Sequence, residues 1–162
     1  MTFYRDIVGA AAWDALPPSL REMHERGGKG TFTVTSRRFA RILSLLGYLP
    51  SPGSAAVTLR IEREASVERW IRSFNGEIFS STQRAERGVV VERIGISEIR
   101  YAAHARGATL VHEILAIRLF GLEMPRWAWP RMEATERADG PRVHVNIAAG
   151  ASFRYSGFII PS

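Results

Sequence analysis

The chain has 162 residues, 46% of them hydrophobic and 23% charged, a balance that suits one globular domain and leaves little room for long disorder. It contains no cysteine, which excludes a disulfide scaffold, a thiolate metal site and a cysteine nucleophile, and fits a cytoplasmic location. The formal charge of +6 does not point to nucleic acid: twenty-one of the 22 basic residues are arginine, and the excess is +3 in residues 1–50 and +3 in residues 51–162 rather than gathered on one stripe.

In residues 1–50 the pattern is mostly helical. Ile7, Ala10, Ala11 and Trp13 give an apolar side to a short helix that Pro17 and Pro18 interrupt. The apolar run 7–13 is too short for a secretory signal, and Asp6 and Asp14 flank it. No stretch approaches the roughly 18 apolar residues of a membrane span. A further helical turn or two over residues 19–25 ends at Gly27-Gly28, a C-cap signal. After a short extended piece at 31–35, Ser36 is placed as an N-cap, and Phe39, Ile42, Leu43 and Leu46 share one helical face. Gly47 and Pro50 stop that helix, and residues 51–54 read as a turn.

From residue 55 the period changes to two. Val57, Leu59 and Ile61 alternate with Thr58, Arg60 and Glu62, the mark of a strand with one buried face. Similar segments follow at 67–74, 78–84, 89–94, 98–105, 109–120, 131–138, 142–149 and 151–160. The pairs Asn75-Gly76, Arg87-Gly88, Arg106-Gly107 and Asp139-Gly140 separate neighbours, and such dipeptides are hairpin signals. Strands joined by tight turns cannot be parallel, because parallel pairing needs long crossovers. Many twisted strands left open would also expose two edges, so closure is expected. The reading is therefore mainly β: a single domain over residues 1–162, with two or three short N-terminal helices forming a mostly helical cap over 1–50. An antiparallel, up-and-down, calycin-like β-barrel of about 8–10 strands spans residues 55–160. A helix-grip fold is the rival, but the last twenty residues read as strand rather than helix. The apolar interruption 121–130, with Met124, Trp127 and Trp129, is expected to be a lid or plug across one mouth.

Several of these segments also resemble a catalogued family. They are residues 69–76 (Arg69-Trp70-Ile71-Arg72-Ser73-Phe74-Asn75-Gly76) with Phe79-Ser80-Ser81, and Val91-Glu92-Arg93-Ile94-Gly95. With them go Gly121-Leu122-Glu123-Met124-Pro125-Arg126, Glu136-Arg137-Ala138-Asp139-Gly140 and Arg154-Tyr155-Ser156-Gly157-Phe158, and near the N-terminus Tyr4-Arg5, Leu16-Pro17 and His24. In this order they resemble a bacterial domain of unknown function, number 4166. That family is often found C-terminal to a saccharopine-dehydrogenase-like reductase domain. The resemblance implies a separate reductase as partner, since no Gly-rich dinucleotide fingerprint occurs in these residues. It implies no reaction and no catalytic residue.

For chemistry, the four histidines His24, His104, His112 and His144 form no HExxH-type pair. His104 and His112 fall on adjacent strands where they could share a face, but no metal and no cofactor are assigned. No Gly-x-Ser-x-Gly elbow is present. Trp70, Arg72 and Phe74 share one strand face by period two, and Glu92 lies two strands on. Glu136 and Tyr155 come round to meet them if the barrel closes. An arginine and a glutamate enclosed together must pair, because an isolated buried charge is costly; outside the barrel the same pair would be a weak solvated contact.

Trp70, Arg72, Phe74, Trp127 and Trp129 are thus the candidate ligand-binding residues, and Glu92 and Tyr155 the candidate catalytic ones. Three functions follow. The first is binding of a small hydrophobic or amphipathic molecule in the barrel. The second is a cofactor-independent cyclase or isomerase acting on a natural-product or lipid-like substrate in the same pocket. The third is an accessory subunit that docks on a reductase through the Trp127/Trp129 loop.

Overall fold

The computed structural model describes residues 2–36, 50–151 and 153–162. The helix expected over Phe39, Ile42, Leu43 and Leu46 lies outside the described residues. Three short helices come first: α1 (Tyr4–Val8), α2 (Ala10–Asp14) and α3 (Pro18–Arg26). Proline opens α3, where its missing N–H is not needed, and Gly27 at φ 81° ends it. Tyr4, Trp13, Leu16, Leu20 and Met23 are buried, whereas Ala10 and Ala11, expected on the apolar side, face solvent.

The strands are β1 (Gly28–Ser36), β2 (Gly53–Glu64), β3 (Val67–Phe74), β4 (Glu77–Glu86), β5 (Val89–Ile94), β6 (Ser97–Arg106) and β7 (Thr109–Leu119). They continue with the two-residue β8 (Leu122–Glu123), then β9 (Met132–Asp139), β10 (Arg142–Ala149) and β11 (Phe153–Pro161). Each pairs antiparallel with its sequence neighbour from β1 to β7 and from β9 to β11. Two further pairings, β1 with β11 and β7 with β9, join the ends. The result is a closed, ten-stranded, up-and-down barrel, with β8 folded back on β7. Closure leaves no long free edge. The extended piece read at 31–35 is the middle of β1, so part of the first fifty residues is barrel wall rather than cap.

Alternation decides which side chains enter. On β2, Ala55, Val57 and Leu59 are buried while their neighbours are exposed. Two-residue turns set the registers: Asn75-Gly76, at φ 49° and 96°, joins Phe74 to its partner Glu77. Positive φ at both positions matches the twist of a hairpin, and asparagine with glycine tolerates it best. Between β1 and β11 the backbones come close. A Cβ on Gly157 would lie 2.7 Å from the Phe32 ring, so this glycine gives the ring its seat inside the barrel.

The two barrel ends differ. At one end lie the β2–β3, β4–β5, β6–β7 and β9–β10 turns, and there the helices plug the opening, with Ser19 donating to the Gly140 carbonyl at 2.8 Å. At the other end lie the β3–β4 and β5–β6 turns and the 120–131 connection. The tightly packed core therefore sits toward the plugged end, around Trp13, Leu20, Met23, Val143 and Ile159. Among the described residues no helix is long and apolar enough to cross a membrane.

Candidate functional site

A cavity of about 220 Å³ occupies the barrel between the helical plug and the opposite end. Its walls are mostly apolar: Phe74, Phe79, Ile94, Ile99, Ile114, Ile147 and Phe153 face into it. Polar groups enter from strands that alternation points inward: Arg72 on β3, Ser81 and Gln83 on β4, Glu92 on β5, Tyr101 on β6, His112 on β7, Glu136 on β9 and Tyr155 on β11. Tyr4 closes the floor from α1.

At the floor, α3 carries His24 on its apolar face, one turn after Leu20, and the imidazole is wholly buried. Its Nε2 lies 2.5 Å from Glu136 Oε2, and His112 Nε2 lies 3.6 Å from the other oxygen of the same carboxylate. Burial pushes the Glu136 pKa up, but the two histidines override it and hold the carboxyl well below the usual range. His24 Nδ1 and His112 Nε2 are buried without a hydrogen bond among the described residues. Beside them Glu68 accepts from Trp70 Nε1 at 3.2 Å and from Arg63 Nε at 3.1 Å. Arg63 also donates to the carbonyls of His24 and Glu25, at 2.5 and 2.7 Å, and so holds the end of α3 against the barrel rim.

Higher in the cavity a second cluster is looser. Arg72 Nη1 donates to Ser81 Oγ at 3.1 Å, and its other terminal nitrogen is 3.7 Å from Glu92 Oε1. The guanidinium also lies over the Trp70 ring, 5.4 Å from its centroid. Tyr4 donates to Gln83 Oε1 at 3.1 Å, so Tyr101 supplies the proton of the 2.8 Å bond between the two phenols. The 3.4 Å approach of Tyr101 to Glu92 is then the weaker branch. Neither oxygen of Glu92 has a short partner among the described residues. Tyr155 makes no side-chain hydrogen bond among the described residues and packs against Phe32, Phe74 and Phe153. Burial pushes its hydroxyl up to about 12, with Arg72 opposing the shift and Glu92 and Glu136 adding to it. Burial likewise keeps Tyr4 and Tyr101 well above their ordinary value. All three phenols are therefore proton donors at neutral pH.

Six of the residues singled out from the sequence meet here: Trp70, Arg72, Phe74, Glu92, Glu136 and Tyr155 line one cavity. The two other tryptophans expected to bind the ligand, Trp127 and Trp129, do not. Trp127 is 88% exposed, and Trp129 donates to the Met124 carbonyl at 2.9 Å and lines an outer groove. That groove marks where the wall parts: β7 and β9 pair only from Thr109 to His112, and beyond this His112, Ile114, Met132 and Ala134 line both groove and cavity. His104 and His112 occupy opposite faces, His112 inward beside Ala103 and His104 outward near Glu113, so they cannot share a ligand. The residues the sequence reading did not place here are Tyr4, Gln83, Tyr101 and His112. The strand members were findable, because Tyr101 continues the Ile99 parity and His112 that of Leu110 and Ile114. Tyr4 sits on a one-turn helix, and nothing local marks it as a plug.

A family model described as "Domain of unknown function (DUF4166)" matches residues 16–158. No curated protein matches the chain. Among solved structures, fatty-acid-binding protein 1 of Echinococcus granulosus aligns over 83% of this chain and 96% of its own, at 8% identity and a TM-score of 0.39. Secretory abundant heat soluble protein 4 from Ramazzottius varieornatus aligns over 82% of this chain and 92% of its own, at 14% identity and a TM-score of 0.38.

Proposed function

The chain belongs to that family, whose description carries no reaction, and we propose from the cavity itself that it binds a compact, largely apolar molecule bearing one neutral hydrogen-bonding group. The carrying observation is the juxtaposition of aromatic and aliphatic walls with one loosely satisfied polar cluster, Arg72, Ser81, Glu92 and Tyr155. Apolar burial supplies affinity, and the few convergent polar groups set orientation. The cavity lies below the roughly 300 Å³ at which drug-sized pockets begin, which favours a terpenoid-sized occupant over a long acyl chain. Arg72 is balanced by Glu92, so a carbonyl or hydroxyl on the ligand costs less to enclose than a free charge. Tyr155, whose hydroxyl makes no side-chain hydrogen bond among the described residues, is the donor to that group.

Native mass spectrometry of protein purified from its own host, with titration of an apolar fluorescent dye, tests this reading. A bound molecule released on unfolding, and dye binding lost in an Ala134→Trp variant that fills the cavity, support it. Protein that comes empty, and dye binding that the filled variant keeps, would overturn it.

A second reading is isomerisation or cyclisation of the bound molecule, favoured by Glu92. Among the described residues its carboxylate has only long contacts, at 3.4 and 3.7 Å, and it lines the same cavity as Tyr155. A weakly engaged base opposite a protonated phenol can move a proton between neighbouring positions of an enclosed substrate. Turnover lost in Glu92→Gln while dye affinity is retained separates this from simple binding.

A further inference from the structure

Three large apolar side chains stand in solvent on the connection between β7 and β9. Phe120 and Leu122 are each 76% exposed, and Trp127 is more exposed still. The backbone holds the first two outward. Leu119 pairs with Leu122, so Phe120 and Gly121 form a two-residue tip at φ 52° and 81°. Phe120 N–H donates to the Ile96 carbonyl at 3.0 Å, tying this tip to the β5–β6 turn, where Ile96 is itself exposed. A left-handed phenylalanine is strained where asparagine or glycine would largely not be. Neither the core nor the cavity uses it.

Behind the tips the outer wall is basic. Arg93, Arg100 and Arg118 approach the single carboxylate Glu98 at 3.1, 3.2 and 3.5 Å, and Arg84 reaches it at 4.0 Å. Glu86, shared by Arg84 and Arg100, and Glu123, 3.5 Å from Arg118, offset part of this charge, so four arginines face three carboxylates. Burial raises the Glu98 pKa, but Arg93 and Arg100 override it and hold the carboxyl below its ordinary value. The same end carries the outer reach of the cavity, since Ile94 just precedes the β5–β6 turn and Met132 follows the 120–131 connection, and both line it. The exposed groups sit on separate turn tips and form no groove. A rigid protein partner would need a matching hole for each, whereas a fluid acyl layer accepts all of them.

We propose that this end of the barrel docks on an anionic lipid bilayer, with Phe120, Leu122 and Trp127 in the interfacial layer and the arginine belt against the headgroups. Aromatic residues gain from that layer, and each arginine near an anionic surface adds to the attraction. The inference rests on the binding reading above, because it names the membrane as the phase that supplies the cavity.

Cosedimentation of the whole chain with phosphatidylcholine vesicles, with and without phosphatidylglycerol, tests the docking. The anionic vesicles should bind, the neutral ones bind at least tenfold less, and added salt should weaken the complex. Trp127 fluorescence should shift to the blue and be quenched by brominated acyl chains, a signal that Trp127→Phe loses while still binding. The surface variant Phe120→Ser/Leu122→Ser/Trp127→Ser, checked for an unchanged Tm, should partition at least tenfold less. Absence of binding to both vesicles, equal binding by the triple variant, or dimerisation through these residues without vesicle binding would overturn the proposal. The cavity-filling Ala134→Trp variant should still sediment, so a failed cargo reading and a failed docking reading give different results.

Discussion

The phenol oxygens of Tyr4 and Tyr101 lie 2.8 Å apart across a separation of 97 residues, and this bond joins the helical plug to the barrel wall. With Gln83 accepting from Tyr4, one proton chain crosses three elements, α1, β4 and β6. Tyr4→Phe leaves both partners buried without it, so unfolding in urea should show a loss of about 1–2 kcal/mol. Tyr4→Ala also opens a void in the floor and should lose about 3–5 kcal/mol. Equal stability of the two variants would mean that the hydroxyl contributes most of the effect and packing little.

Glu136 should contribute strongly to the acid sensitivity of the fold. Its folded-state pKa lies below the unfolded value, so its stabilisation is complete above the ordinary carboxylate range and is lost as pH falls below about 4.3. The Tm of the protein should therefore drop steeply from pH 5 downward, and Glu136→Gln should flatten that drop while lowering the Tm at pH 7. Removing one partner of an enclosed ion pair costs about 3–5 kcal/mol, which sets the scale at neutral pH. Thermal melts from pH 2 to 7 on both proteins check it.

Tyr155 gives the opposite dependence. Its pKa is raised to about 12 by burial, so the neutral phenol favours the folded state below the unfolded value of about 10, and that contribution disappears as pH rises from 10 to 12. Phenolate absorbance of the folded protein should rise late, and Tyr155→Phe should reduce that late rise by one phenol, leaving the share of Tyr4 and Tyr101. A Tyr155 that titrates near 10 would mean that its hydroxyl meets water.

Arg72 and Glu92 should behave differently when cut separately. Arg72→Leu removes the Ser81 hydrogen bond and the cation facing Glu92, which should weaken binding of a carbonyl-bearing apolar probe by about tenfold or more. Glu92→Gln removes one charge and keeps the shape, so probe affinity should change by less than about threefold. Isothermal titration of both variants, with the double variant to test coupling, measures the two effects.

Local features were legible from the residues alone: strands where apolar residues recur every second position, hairpins where Asn75-Gly76 and Arg87-Gly88 stand, and a shared face for Trp70, Arg72 and Phe74. These depend on near neighbours, because side-chain direction in a strand has period two. Period two does not say which face lies inside, nor which distant strands meet. Only closure through β1 with β11 and β7 with β9 turned Arg72, Glu92 and Tyr155 inward together and brought Tyr4 and His24 onto the floor. The same limit explains Trp127, since an apolar residue on a connecting loop reads alike whether it covers a mouth or stands in solvent. Those outcomes are set by contacts between residues far apart in the chain, and no window of sequence contains both partners.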